Sequence, residues 1–253
     1  MNAKRIGVTR PLWDDELVEV EGEAGRGQAS VAGDDGVETL LGESRWPPVG
    51  SVLVFLALNV AVRVWLPGNG AIRVPWLLPA IEVVLLVVLL THDLTGANDR
   101  RRLHRVALVL VGALVVAALW ATVLLVSDLI QGKGVTNSPA QLLASGAIVW
   151  LGNNLAFGLL YWLIDGGGPV ARFSQRVPVD FAFTQQLSPE VAPPGWRPVF
   201  LDYLHLGFTN ATAFSPTDVV PLTRRAKYAM LLQSTVALAL FGLVVARAVN
   251  AFK

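Results

Sequence analysis

The chain has 253 residues, 53% hydrophobic and only 15% charged, with a mean hydropathy of +0.54; a soluble domain carries about 25% charged residues, so this composition points to a membrane-embedded protein. The net charge of +1 hides an acidic start, with five basic and ten acidic residues in 1–46, and a basic body, with fifteen and nine in 47–253. That excess is the kind that orients helices in a bilayer rather than a nucleic-acid footprint, and the absence of cysteine excludes disulfides and thiolate metal sites.

Residues 1–46 are rich in Gly, Asp and Glu and lack apolar periodicity. Such a composition cannot bury enough surface to offset ordering entropy, so a disordered cytoplasmic tail is expected, with an acidic docking tail as the functional alternative. No apolar run follows Lys4 and Arg5, so a signal peptide is not expected.

Residues 47–164 read as a region of four transmembrane helices. The first covers about 48–66, flanked by Trp46 and Trp65 as interfacial aromatics, and Pro67-Gly68-Asn69-Gly70 forms a turn after it. The second, about 74–91, carries Glu82 near its middle. An intramembrane carboxyl is a functional candidate by default; its plainer role is a hydrogen bond to a neighbouring helix. The connection 92–105 holds Arg100, Arg101, Arg102 and Arg105, which the positive-inside rule places in the cytoplasm. The third span is about 106–130. The fourth, about 140–164, carries Asn153 and Asn154 near its middle, either as interhelical hydrogen-bonding groups or as the lining of a polar path. Asp165-Gly166-Gly167-Gly168-Pro169 then breaks the helix.

Residues 165–198 show no span and are expected to be a connecting surface loop, long enough to pack over the C-terminal segment. Residues 199–253 form the most distinctive module. A short half-apolar segment, 199–214, is too short to cross a bilayer and too apolar for an exposed loop, which predicts a re-entrant helix. It carries Asp202, His205, Thr209, Asn210 and Thr212; Asp202 and His205 share a face but fall short of the three ligands a metal site needs. After the polar stretch with Ser215, Thr217 and Asp218, Thr223 is positioned to cap a last helix over about 226–249. That helix holds Gln233 and a small-residue stripe, Thr235, Ala239, Gly242 and Ala246. Arg224, Arg225 and Lys227 in its first turn oppose the helix dipole, which anionic headgroups would favour.

The run from Phe200 through Thr209-Asn210-Ala211-Thr212-Ala213-Phe214-Ser215-Pro216-Thr217-Asp218 to about Asn250 resembles the pore-helix, filter and inner-helix unit of two-transmembrane potassium channels. About 153–250 also resembles a family of uncharacterised bacterial multi-pass membrane proteins. The channel resemblance implies a pore lined by Thr209, Asn210, Thr212, Ser215, Thr217 and Asp218. In a potassium filter, glycines let backbone carbonyls form a ladder around a dehydrated ion. Here Ser215, Pro216 and Thr217 occupy the corresponding positions, so the filter is degenerate and a potassium-selective ladder is not expected.

The expected fold is therefore all-α and integral to the membrane, with five transmembrane helices and one short re-entrant, pore-like helix. Placing Arg100–Arg105 in the cytoplasm puts the N-terminus and the 165–225 region there too, and the C-terminus outside. A channel's loop would enter from outside; charge counting governs here because the filter match is degenerate. The expected function is passage of cations or small solutes through a multi-pass protein of the cell membrane. The alternative is a non-conducting scaffold or sensor subunit that uses the hairpin only for packing. One hairpin per chain makes a pore only around an axis, so the first reading implies a homo-oligomer; the lipid bilayer is a partner on either. No H-E-x-x-H, G-x-S-x-G, Walker A or dinucleotide glycine motif is present, so neither enzyme nor cofactor is expected.

Overall fold

The structure is a computed structural model that describes residues 46–65, 77–91, 97–131, 139–173, 178–212 and 218–251. The chain divides into two units, Met1–Gly42 and Glu43–Lys253, and every described residue belongs to the second. The expected disordered tail and the Pro67–Gly70 turn lie outside the described residues.

The described chain is mostly helical. Helix α1 spans Trp46–Trp65, α2 Leu77–Thr91, α3 Ala97–Gln131 and α4 Pro139–Ile164. A single 3-10 turn, Asp165–Gly167, leads to a short α5, Pro169–Phe173. Strand β1, Phe181–Phe183, and the one-turn α6, Thr184–Leu187, precede α7, Phe200–Thr212. Strand β2, Val219–Pro221, leads into α8, Arg224–Ala251. By length and composition, three helices among the described residues are able to cross a membrane: α3 over Arg102–Gln131, α4 continued over Ala140–Gly167, and α8 over Arg224–Arg247. The apolar stretches of α1 and α2, Trp46–Ala61 and Pro79–Leu90, are shorter.

Two expectations are corrected. The basic run Arg100–Arg105 is not a connecting loop, because α3 begins at Ala97 and carries those arginines on its first turns. Strong helix formers such as Arg and Leu extend the helix beyond its apolar part. The 165–198 segment is not merely a surface loop either. Phe181, Ala182 and Phe183 are all buried, and β1 pairs antiparallel with β2, Phe181 opposite Pro221 and Phe183 opposite Val219. Three adjacent apolar residues bury on both faces of this small ribbon because α4 and α7 supply aromatic partners. Phe181 packs edge-on against Tyr161 at 5.3 Å and Phe183 edge-on against Tyr203 at 5.3 Å, with Trp196, just before α7, tilted against Phe183 at 5.7 Å.

Helix α4 is the centre of the packing, in contact with α1, α3, α7 and α8. Helices α3, α7 and α8 run antiparallel to it. For α3, His104 lies against Gly168 and Thr122 bonds Asn153. For α8, Arg225 Nη2 donates to the Ile164 carbonyl at 3.2 Å and Val244 sits on Gly146. For α7, Phe200 meets Trp162 at 5.8 Å while Phe208 meets Trp150 at 5.4 Å. Glycine makes the α4–α7 crossing close. A Cβ on Gly158 would stand 3.3 Å from Leu204 Cα, and one on Gly207 would stand 3.4 Å from the Asn154 carbonyl oxygen. The end of α4 is equally specific. Gly166, Gly167 and Gly168 have φ of 55°, 79° and 94°, a left-handed run that side chains resist.

The starts of α3, α7 and α8 therefore share one end of the bundle with the end of α4. The chain leaves that end in α7 and is back at it by β2, where Asp218 lies beside His205 of α7's second turn.

Candidate functional site

Two buried carboxylates organise that end. Asp165 is fully buried where α4 stops. Its Oδ1 accepts from the backbone N–H groups of Asp180 at 2.6 Å and Phe181 at 3.1 Å, and its Oδ2 accepts from the Tyr203 hydroxyl at 2.5 Å. Asp180 is also fully buried. It accepts from the Thr223 hydroxyl, from Arg225 Nε at 2.6 Å and Nη2 at 2.5 Å, and from the Gly166 N–H at 3.1 Å. Arg172 donates to the carbonyls of Trp162 at 2.7 Å and Asp165 at 3.1 Å, and its guanidinium lies 4.8 Å over the Tyr203 ring. Burial pushes the Asp180 carboxyl up. Hydrogen bonds from Arg225 and Thr223, the Arg225 charge and the Gly166 N–H outweigh it, and the net shift is below the ordinary carboxylate value. Every carboxylate oxygen of the pair accepts a hydrogen bond and each carboxylate has an arginine beside it, which suits a rivet joining α4, the ribbon, α7 and α8 rather than a reacting site.

A second network lies deeper, between α4, α7 and α8. Gln233 Oε1 accepts from the Tyr161 hydroxyl at 2.7 Å and from Asn210 Nδ2 at 2.9 Å, and Gln233 Nε2 donates to the Gly207 carbonyl at 2.9 Å. Asn210 Nδ2 also donates to the Met230 carbonyl at 3.0 Å, and Ser234 donates to Asn210 Oδ1 at 2.9 Å. Asn210 and Gln233 are thus held inside the chain, with both amides engaged. The other intramembrane polar residues expected from the sequence are buried as well. Glu82 Oε1 accepts from Asn59 Nδ2 of α1 at 2.6 Å. Asn153 Nδ2 donates to Thr122 of α3 at 2.8 Å and to the Val149 carbonyl at 3.0 Å. Asn154 Nδ2 donates to the Trp150 carbonyl at 2.9 Å. Asn153 and Asn154 point to different neighbours, α3 and the α7 side, because adjacent positions on a helix differ by about 100°.

The remaining candidates lie on the opposite side of α7. His205 and Thr212 are exposed, and Asp202 and Thr209 are half-buried. With spacings of three and four they form one stripe along the face turned away from α4. Asp202 Oδ2 accepts from the Val199 N–H at 2.7 Å, capping the helix start. Burial raises its carboxyl above the ordinary value, the Val199 N–H and His205 oppose this, and the charge of Asp218 adds to it. His205 Nε2 lies 3.3 Å from Asp218 Oδ2. The Thr209 hydroxyl donates to the His205 carbonyl at 3.0 Å and the Thr212 hydroxyl to the Phe208 carbonyl at 2.7 Å. Their protons turn into the helix, so their oxygens present lone pairs outward. In this row His205 and Thr212 are left exposed by the described residues, while Asp202, Thr209 and Asp218 are half-buried. Ser215 and Thr217 lie outside the described residues.

Sequence reasoning passed over Asp165 and Asp180, the first read only as part of a helix breaker and the second as a loop residue. The legible signal was a pair of acids within a basic, aromatic-rich segment, since an isolated buried acid is costly unless cations are near. It also missed Asn59 as the partner of Glu82. Against protein-family models, curated proteins and solved structures, no match to this chain is found.

Proposed function

We propose that the chain is a multi-pass protein of the cell membrane in which the uncovered face of α7 lines a hydrated path for cations or small polar solutes. On this reading α1 to α4 and α8 make five crossings, and α7 is a re-entrant half-helix. Thirteen residues rise about 20 Å, short of a hydrocarbon core of about 30 Å, and the chain returns to the end from which α7 starts. The row of Asp202, His205, Thr209 and Thr212, joined by Asp218, carries the reading. Polar groups facing lipid at depth cost free energy, whereas the same groups facing water or a second chain do not. Hydroxyl and carboxylate oxygens also favour cations over anions. Ser215 and Thr217 extend the path by sequence. With Pro216 between them they are poorly suited to a carbonyl ladder, so discrimination between potassium and sodium is weak.

The test is cation flux into vesicles reconstituted with the purified protein. Wild type carries flux above protein-free vesicles with little preference between potassium and sodium. Asp218→Asn lowers it about tenfold, and the paired change Thr209→Val with Thr212→Val lowers it further, as expected when polar lining is removed. Flux no greater than that of empty vesicles sinks the proposal. The buried network of Tyr161, Asn210, Gln233 and Ser234 favours a second reading, a non-conducting scaffold, because it already fixes α7 within one chain. A strictly monomeric protein in detergent, joined to absent flux, selects that reading.

A further inference from the structure

The outward face of α8 carries a charge pattern that the path does not use. Arg225 is neutralised by Asp180. Arg224 and Lys227, both exposed, have no acidic partner among the described residues. They stand in the first turn of a helix, where its dipole disfavours cations. Both project to the side that continues with Tyr228, 69% exposed, Leu231, 64% exposed, and Leu238, 54% exposed. The face thus changes from cationic through aromatic to apolar along the helix. From Lys227 to Leu238 the rise is about 16 Å, close to the ~15 Å of hydrocarbon in one leaflet. Helix α3 packs against α8 and starts at the same end, where Arg102 and Arg105 are exposed.

We infer that this face of α8 holds an anionic phospholipid. The headgroup phosphate lies at Arg224 and Lys227, the Tyr228 ring lies at the carbonyl level, and an acyl chain lies along Leu231 and Leu238. Charge complementarity selects the occupant. A zwitterionic headgroup brings its own cation and gains little from two more, whereas an anionic one gains from both and offsets their conflict with the helix dipole. The inference is independent of solute passage and requires only that α8 stand in a membrane.

The experiment is native mass spectrometry of the full-length protein after reconstitution with an equimolar mixture of phosphatidylglycerol and phosphatidylcholine. Wild type retains phosphatidylglycerol selectively. The double variant Arg224→Gln, Lys227→Gln loses that selectivity on the order of twentyfold, since each cation near an anionic surface contributes about fivefold. Arg247→Gln, at the far end of α8, leaves retention unchanged. A shift in thermal midpoint on adding phosphatidylglycerol, present in wild type and absent in the double variant, separates lost binding from misfolding. The inference fails if the two lipids are retained equally or if the double variant behaves as wild type. It also fails if a second copy covers the face. The chain has no cysteine, so Thr235→Cys reports that directly: efficient disulfide crosslinking between copies overturns lipid occupancy, and resistance to crosslinking supports it.

Discussion

Asp180 shows how one side chain ties distant segments together. Its carboxylate meets Thr223 and Arg225 from the start of α8 and Gly166 from the end of α4, while its backbone carbonyl accepts from the Leu222 N–H at 2.8 Å. Asp180→Asn removes the charge and places an amide N–H against a donor. It is expected to destabilise by about 2–4 kcal/mol, below the extreme for a broken buried pair because the Arg225 side chain is 57% exposed and its charge can be hydrated. The pH dependence has a definite sign. The folded value lies below the ordinary one, so the contribution is complete above the unfolded value near 4. It is lost as the pH falls from there through the lower folded value. Thermal unfolding in detergent between pH 7 and pH 3 should show wild type losing stability over that range, with the loss blunted in Asp180→Asn. An equal slope in both proteins would rule Asp180 out as its source.

At the scale of elements, α7 is decided by two glycines and two faces. Its buried face is narrow where Gly207 meets α4, and its Asn210 amide bonds inside the chain; its other face carries Asp202, His205, Thr209 and Thr212 beside the exposed Leu201 and Phe208. Gly207→Val puts a branched side chain where a Cβ alone would lie 3.4 Å from the Asn154 carbonyl. A loss of about 1–3 kcal/mol is expected from overpacking. Gly242 in α8 makes the contrast, since nothing lies within 4 Å of a Cβ there. Gly242→Ala is expected to raise stability by about 0.5–1 kcal/mol through helix propensity alone. Opposite shifts in thermal midpoint check the pair, and a stabilising Gly207→Val would overturn the close crossing. Helix existence was legible from apolar runs and breakers, and Thr223 was legible as a cap: its hydroxyl oxygen accepts the Ala226 N–H at 3.3 Å. The β1–β2 ribbon was not legible. A three-residue strand has no periodicity to detect, and its partner lies 38 positions away, from Ala182 to Val220.

At the scale of the whole molecule, the basic residues whose side chains are described divide between the two ends. Arg102, Arg105, Arg172, Arg197, Arg224, Arg225 and Lys227 gather where α4 ends and where α3, α7 and α8 begin. Arg247 stands at the other end of α8. His104 against Gly168 places the start of α3 and the end of α4 together, so the side that charge assigns to one holds for the other. On the proposed five-crossing reading, the positive-inside rule predicts a cytoplasmic position for this end. Since the chain lacks cysteine, single substitutions map the sides without background. Glu190→Cys is expected to resist a membrane-impermeant maleimide in intact cells and to label after permeabilisation. Gln131→Cys, at the far end of α3, is expected to label in intact cells. The reverse pattern inverts the molecule and places the α7 hairpin on the outer side, where the channel resemblance would have it.

Composition and the long apolar runs were sufficient by themselves to mark a helical membrane protein. They also located its three longest helices, because a bilayer imposes length and hydrophobicity on each crossing segment separately. The short helix before the last one was legible from its half-apolar composition between breakers. Which polar residues bond inside the chain and which stay uncovered was decided only by tertiary structure. Asn210 and Thr209 are adjacent and both polar in sequence, yet one is locked to Gln233 and the other faces outward. Likewise, nothing local distinguishes Asp165 and Asp180 from loop acids. Their burial exists because Tyr203, Thr223 and Arg225 arrive from elements up to 45 residues later, from Asp180 to Arg225. Hydrogen bonds and ion pairs depend on distance in space, which a one-dimensional pattern does not record.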